Sequence, residues 1–110
     1  MKVKDFAEKY SMKILNAADI ESREAHGCYC GDLLSWVMGR AKEGDAWFSV
    51  MGNVNAIAVC VLADVACLVL CENATLDDAA LARAETENVT VLRSSRSAYE
   101  LAGVLSQQLS

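Results

Sequence analysis

The chain has 110 residues, 54% of them hydrophobic and 23% charged, enough apolar matter for one continuous core and no second one. Its formal net charge is -5, and its 10 Lys and Arg stand singly or in isolated pairs. Nucleic acid and anionic membrane are therefore excluded as main partners, because both reward clustered positive charge.

Met1 to Phe6 becomes amphipathic at once, without the apolar run of a signal peptide, and the longest apolar stretch, Ala56 to Ala63, is too short to span a bilayer. A single cytoplasmic domain over residues 1–110 is expected, with its five cysteines reduced.

Val3, Phe6, Ala7 and Tyr10 follow i, i+3, i+4, i+7 and predict a short first helix. Met12 to Leu15 reads as a strand, Ala17 to Arg23 as a loop, and His26 to Cys30 as a second extended segment. Asp32 is the expected N-cap of a helix through Met38, with Gly39 as its left-handed terminus. Ala46 to Met51 is aromatic and β-branched, hence a strand, broken by Gly52-Asn53. Val54 to Ala63 is apolar nearly all round, which predicts a central helix buried between layers.

Ala66 to Cys71 is uniformly apolar and suits a strand covered on both faces. Thr75 and Asp78 have capping-box-like spacing ahead of an Ala-rich helix to Asn88, and Val89 to Leu92 is the next strand. Ser97 and Glu100 form a closer capping box, followed by the stripe Ala98, Leu101, Ala102, Leu105, Leu109 of a last helix. From Ala46 onward strand and helix alternate with short connections. The fold class expected is α/β, three-layer α/β/α with a mainly parallel sheet.

In such a sheet the loops leaving the carboxyl ends of the strands share one edge, and the following helices aim their amide-rich N-termini at it. Here those loops are Gly52-Asn53-Val54-Asn55, Glu72-Asn73-Ala74-Thr75 and Ser94-Ser95-Arg96-Ser97. Together they predict a shallow, anion-friendly cleft for a phosphate or carboxylate. The same Asn, Ser and Thr residues also suit plain helix capping.

His26, Cys28 and Cys30 alternate, so on a strand they share a face with neighbours about 6.8 Å apart, too wide for one metal without bending. No metal site and no cofactor are expected. Cys60, Cys67 and Cys71 sit in the most apolar segments as small hydrophobes. His26 is the only histidine, so any nucleophile–His pair must use it, and no cleft is evident around it. Asp77-Asp78 and Glu85 with Glu87 read as solvated helix surface. Phosphate-loop and Gly-x-Gly-x-x-Gly motifs are absent, which removes the main support for kinase and dinucleotide-dependent activities. Trp36, beside Val37 and Met38, points to an oligomer interface or to core packing.

Gly27-Cys28-Tyr29-Cys30-Gly31-Asp32-Leu33-Leu34-Ser35-Trp36-Val37-Met38-Gly39, with Lys42 to Trp47 and Asn55 to Val59, resembles the DRTGG-domain family, particularly its short stand-alone bacterial members. That family is similar to the N-terminal domain of HPr kinase/phosphorylase, and it occurs beside CBS domains in some pyrophosphatases and in phosphate acetyltransferases. The resemblance implies a regulatory α/β/α domain, often dimeric, whose associated catalysis belongs to other domains. The motif that names the family is replaced here by Ser22-Arg23-Glu24-Ala25-His26-Gly27, keeping Arg23 and one glycine.

The combined expectation is a non-catalytic regulatory module that binds a small anionic ligand, a nucleotide among the candidates, as a homodimer. Its site would comprise Asn53, Asn55, Ser94 and Ser95, with Asp32 and Ser35 nearby as helix-start groups. The alternative is a protein-interaction accessory docking a larger enzyme or regulatory system around Trp36. A third possibility is a thiol or metal role for His26, Cys28 and Cys30.

Overall fold

A computed structural model describes residues 1–110. The elements follow in the order α1 (Val3–Lys9), β1 (Lys13–Asn16), β2 (Gly27–Cys30), α2 (Leu34–Arg40), β3 (Asp45–Ser49), α3 (Val54–Ala63), β4 (Cys67–Leu70), α4 (Asp78–Glu87), β5 (Val91–Arg93) and α5 (Ala98–Leu109). The strands form one sheet in the order β1-β5-β4-β3-β2, parallel except for β1, which runs antiparallel to β5. The expected α/β fold with a mainly parallel sheet is present.

From β2 to β5 the chain steps one strand at a time in one direction. Crossovers of constant hand then place α2, α3 and α4 on the same face. There Val37, Ile57, Cys60, Ala80 and Ala84 pack against Trp47, Leu68, Leu70 and Val91. The other face is covered by α1 and α5, whose Val3, Phe6, Leu101 and Leu105 meet Phe48, Cys67, Val69 and Leu92. The alternation of β3 and β4 residues between these clusters explains why both strands are wholly buried and apolar at every position but Asp45 and Ser49 at the ends of β3. Each of these large side chains contributes about 1.5–3 kcal/mol by leaving water.

Several local expectations change. Apolar on all sides, α3 covers the sheet from outside instead of lying between layers, so Val61 and Leu62 are 42% and 69% exposed. Thr75 does not cap α4; Asp77 does, its Oδ1 accepting from the Ala80 N–H at 2.7 Å. Gly39 lies inside α2, which stops at the extended Ala41 rather than at a left-handed glycine. Asp32 is not the N-cap of α2 either. Leu33 occupies that position and makes no side-chain bond, because the Asp32 carboxylate is engaged by β3. The Ser97/Glu100 capping box is present at α5. Cys60, Cys67 and Cys71 are buried, and all five cysteines are free. No helix is long and apolar enough to cross a membrane.

Candidate functional site

The parallel strands β2, β3, β4 and β5 end at Cys30, Ser49, Leu70 and Arg93, so the segments that follow them gather on one edge. All six residues predicted for the site lie along that edge. Asn53 caps α3, with its Oδ1 accepting from the Ala56 N–H at 2.9 Å. Asn55 is exposed in the first turn of α3, and Ser35 is exposed in the first turn of α2. Ser94 is buried, its Oγ accepting from the Arg96 N–H at 3.1 Å, while Ser95 is exposed. Asp32 Oδ1 accepts from Ser49 Oγ at 2.7 Å and from the Val50 N–H at 3.0 Å, tying the exit of β2 to that of β3.

The segments between these residues are laced to one another. The Asp77 N–H donates to the Gly52 carbonyl at 3.0 Å, and the Glu72 and Asn73 N–H groups donate to Arg96 O and Ser94 O at 3.0 and 2.9 Å. Glu72 and Asn73 reach those partners through left-handed backbone, φ 54 and 57. At Gly52 a Cβ would lie 1.9 Å from Thr75 O, so the loop after β3 meets the loop before α4 backbone to backbone. These contacts turn the predicted cleft into a continuous polar rim. Every surface concavity lies elsewhere, and none is lined by Asn53, Asn55, Ser94, Ser95, Asp32 or Ser35.

The tertiary pairing adds two residues that sequence reasoning missed, Lys13 and Arg93, to the Arg96 of the predicted loop. In the β1–β5 register Lys13 stands directly opposite Arg93, next to Ser94 and Ser95. Arg96, from the same loop, donates from Nη1 to Tyr10 O at 2.7 Å and holds its guanidinium 5.7 Å from the Tyr10 ring. The ion pairs of the chain are Lys4–Glu21 and Arg83–Glu87, so none of these three cations has a carboxylate partner. Positive charge without a carboxylate partner thus sits at the β5 end of the rim, Lys13 and Arg93 on the α4 side of the sheet and Arg96 against Tyr10 on the α1 side, in a chain of net charge -5. Its signal in the sequence was the pair Arg93 and Arg96 around two serines; Lys13 had none.

The remaining candidate chemistry is quieter. Cys28 and Cys30 lie on one face of β2, half-buried and exposed. Burial pushes the Cys28 thiol up to about 11 and raises that of Cys30, which keeps both protonated and poorly nucleophilic at neutral pH. No group of three or more His, Cys, Asp or Glu side chains is placed to hold a metal ion. Arg23 lies at the opposite edge and donates from Nη1 to Val65 O at 3.2 Å. Its segment joins the N-terminus, through Val3 N–H to Arg23 O and Ala25 N–H to Met1 O at 2.9 and 2.8 Å.

The family model described as DRTGG domain matches residues 5–108. Among solved structures, the crystal structure of the CBS and DRTGG domains of the regulatory region of Clostridium perfringens pyrophosphatase, complexed with its activator diadenosine tetraphosphate, is similar with a TM-score of 0.74. The two sequences are 15% identical, and the alignment covers 98% of this chain and 47% of that one, so the likeness shows the fold and spans about half of the larger chain. No curated protein matches the sequence.

Proposed function

The chain belongs to the DRTGG-domain family, whose domains are regulatory, and from that premise we propose that it is a non-catalytic cytoplasmic module that binds a small anionic ligand of the nucleotide class and acts as a homodimer. The observation that carries the ligand reading is the pair Lys13 and Arg93 beside Ser94 and Ser95, with Arg96 following in the same loop. Three cations without carboxylate partners at the rim of an acidic protein favour an incoming phosphate. The activator bound by the similar regulatory region is itself a polyphosphate, which supports the same ligand class.

Along the rim, β3 lies two strand spacings from β5, roughly 10 Å. A compact anion meets Ser94, Ser95 and the cations; an elongated one also reaches Asn53 and Asn55 at the N-terminus of α3. Asp32 and Ser35, at the β2 end, suit hydroxyl groups rather than phosphates, since a carboxylate accepts hydrogen bonds and repels anions.

A thermal-shift series with adenine and guanine nucleotides, dinucleoside polyphosphates and small phosphorylated metabolites tests this reading. A ligand at a hundred times its dissociation constant adds about 2.7 kcal/mol of stability. That gain should disappear in Lys13→Gln/Arg93→Gln protein and persist in Arg83→Gln, which removes a cation already paired with Glu87 on α4. A flat series with every phosphorylated compound would sink the ligand reading.

One observation favours a second reading. Leu33, Trp36 and Met38 on and before α2 are 59%, 54% and 50% exposed, with the Arg40 guanidinium 4.0 Å from the Trp36 ring. A protein partner docking there makes the chain an accessory of a larger assembly. Retention of a partner from the host by wild-type protein and not by Trp36→Ala would establish it.

A further inference from the structure

α3 is the one helix of the chain without a charged residue, and it lies in the middle of its layer, packed on α2 at one side and on α4 at the other. Ala56, Ile57 and Cys60 turn toward the sheet. Its exposed residues are Val54, Asn55, Val61 and Leu62. They stand four and three residues before, and three and four residues after, the half-buried Ala58, a spacing that puts all five on one stripe of the helix. Beside this stripe α2, the outermost helix of the layer, leaves Leu33, Trp36 and Met38 bare, and its one charge, Arg40, lies against the Trp36 ring. Contiguous apolar surface of this kind marks an interaction site.

We propose that a second copy of this chain covers this face, with α3 packed antiparallel on the partner's α3 about a two-fold axis at Ala58. The proposal rests on the homodimer reading above and names its interface. Charge favours a second copy over other occupants. Two chains of net charge -5 repel each other, and they meet at least cost where neither presents a charge. A strongly acidic or basic partner finds no complementary charge on α3.

Symmetry points the same way. A two-fold contact needs a patch complementary to itself, and a stripe balanced about its own centre has that property. Val54 then faces the partner's Leu62 and Asn55 the partner's Val61, while the small Ala58 at the axis lets the two helices approach closely. The same rotation lays α2 on the partner's α2, which brings Leu33, Trp36 and Met38 of both copies into the contact. With extents of 34 × 25 × 25 Å, the molecule has faces of the size that a standard interface takes from each partner, about 800 Å². Asn55 is the polar member of the stripe and also belongs to the rim, which places the dimer contact next to the proposed ligand site.

Sedimentation of the full chain over a range of concentrations is the test, and the wild-type protein is expected to dimerise. Leu62→Glu brings a carboxylate from each copy into the contact and should raise the dissociation constant at least about a hundredfold. Tyr99→Glu, at an exposed position of α5 in the other layer, should leave the dimer as strong as in wild type. Adding Val54→Lys to Leu62→Glu sets opposite charges face to face across the axis and should restore most of the lost affinity. Within one copy the two positions are about 12 Å apart along the helix, too far to pair, so the rescue reads the antiparallel register.

A dimer that Leu62→Glu does not weaken overturns the α3 interface and leaves the homodimer reading standing. A dimer that it weakens and Val54→Lys does not rescue overturns the axis at Ala58. A monomer at every concentration overturns both readings and gives the face to a different protein. If Leu62→Glu fails to fold, Trp36→Ala, outside α3, decides in its place, with a rise of at least about tenfold expected.

Discussion

Lys13 and Arg93 are Cα partners across the antiparallel β1–β5 ladder, like charges set face to face without a carboxylate to separate them. Such a cross-strand pair costs about 0.2–1 kcal/mol. Lys13→Glu is therefore expected to raise the unfolding free energy of the ligand-free protein by that order, with the gain shrinking as salt increases. The same substitution should diminish stabilisation by phosphorylated ligands. Urea titrations with and without ligand read both effects, and a fall in ligand-free stability would show the pair to be harmless.

The loop at Gly52 admits no side chain. A Cβ there would lie 1.9 Å from Thr75 O, and that backbone is held in place by the Asp77 N–H bond to Gly52 O. Gly52→Ala should cost more than the usual overpacking range of about 1–3 kcal/mol. By comparison, Asn53→Ala removes only the cap of α3, worth about 1 kcal/mol. The ranking of the two midpoints in urea is the check.

Thr90, fully buried, exchanges two hydrogen bonds with Ala18: its Oγ1 accepts from the Ala18 N–H at 3.1 Å and donates to Ala18 O at 2.8 Å. The pair moors the start of the β1–β2 connection to β5. Thr90→Val keeps the shape and strands both Ala18 groups, so a loss of about 2–4 kcal/mol is expected. Hydrogen exchange should quicken first at Ala18. Unchanged protection there would mean that water replaces the hydroxyl.

Alkaline pH should destabilise the chain through its thiols. Burial raises Cys28 and Cys71 from 9.0 to about 11 and Cys67 to about 12, and pushes Cys60 higher still. A thiol whose folded pKa exceeds its unfolded value keeps its full contribution below the unfolded value and loses it as pH rises through the folded one. Stability should be insensitive to these groups up to about pH 9 and then fall toward pH 11–12. Cys67→Ala in place of the most buried thiol should flatten that slope, measured as urea midpoint against pH.

Much of this architecture is written locally. The heptad-like spacing of Val3, Phe6 and Tyr10, the Ser97/Glu100 box and the apolar run through Cys71 each specify an element from neighbours within a few residues. The alternation from Ala46 onward implied a parallel sheet because short crossovers of one hand permit little else. Asp32 misled because its carboxylate had two competing uses. Capping α2 needed only local backbone, but the Ser49 hydroxyl and the Val50 amide, brought alongside by the β2–β3 ladder, offered two donors at once.

Periodicity, capping and motif spacing are short-range properties of the chain, and from them came the helices, the parallel strands from Ala46 onward, the family and the residues along the carboxyl edge. Where β1 and β2 join the sheet is a matter of strand pairing. From that followed the meeting of Lys13 with Arg93 and the lacing of three loops into a rim. The placement of β1 depends on pairings between residues more than seventy positions apart, such as Lys13 with Arg93, whereas β2 pairs with the nearby β3. No local pattern encodes them; they are selected by the burial of both faces of the sheet at once.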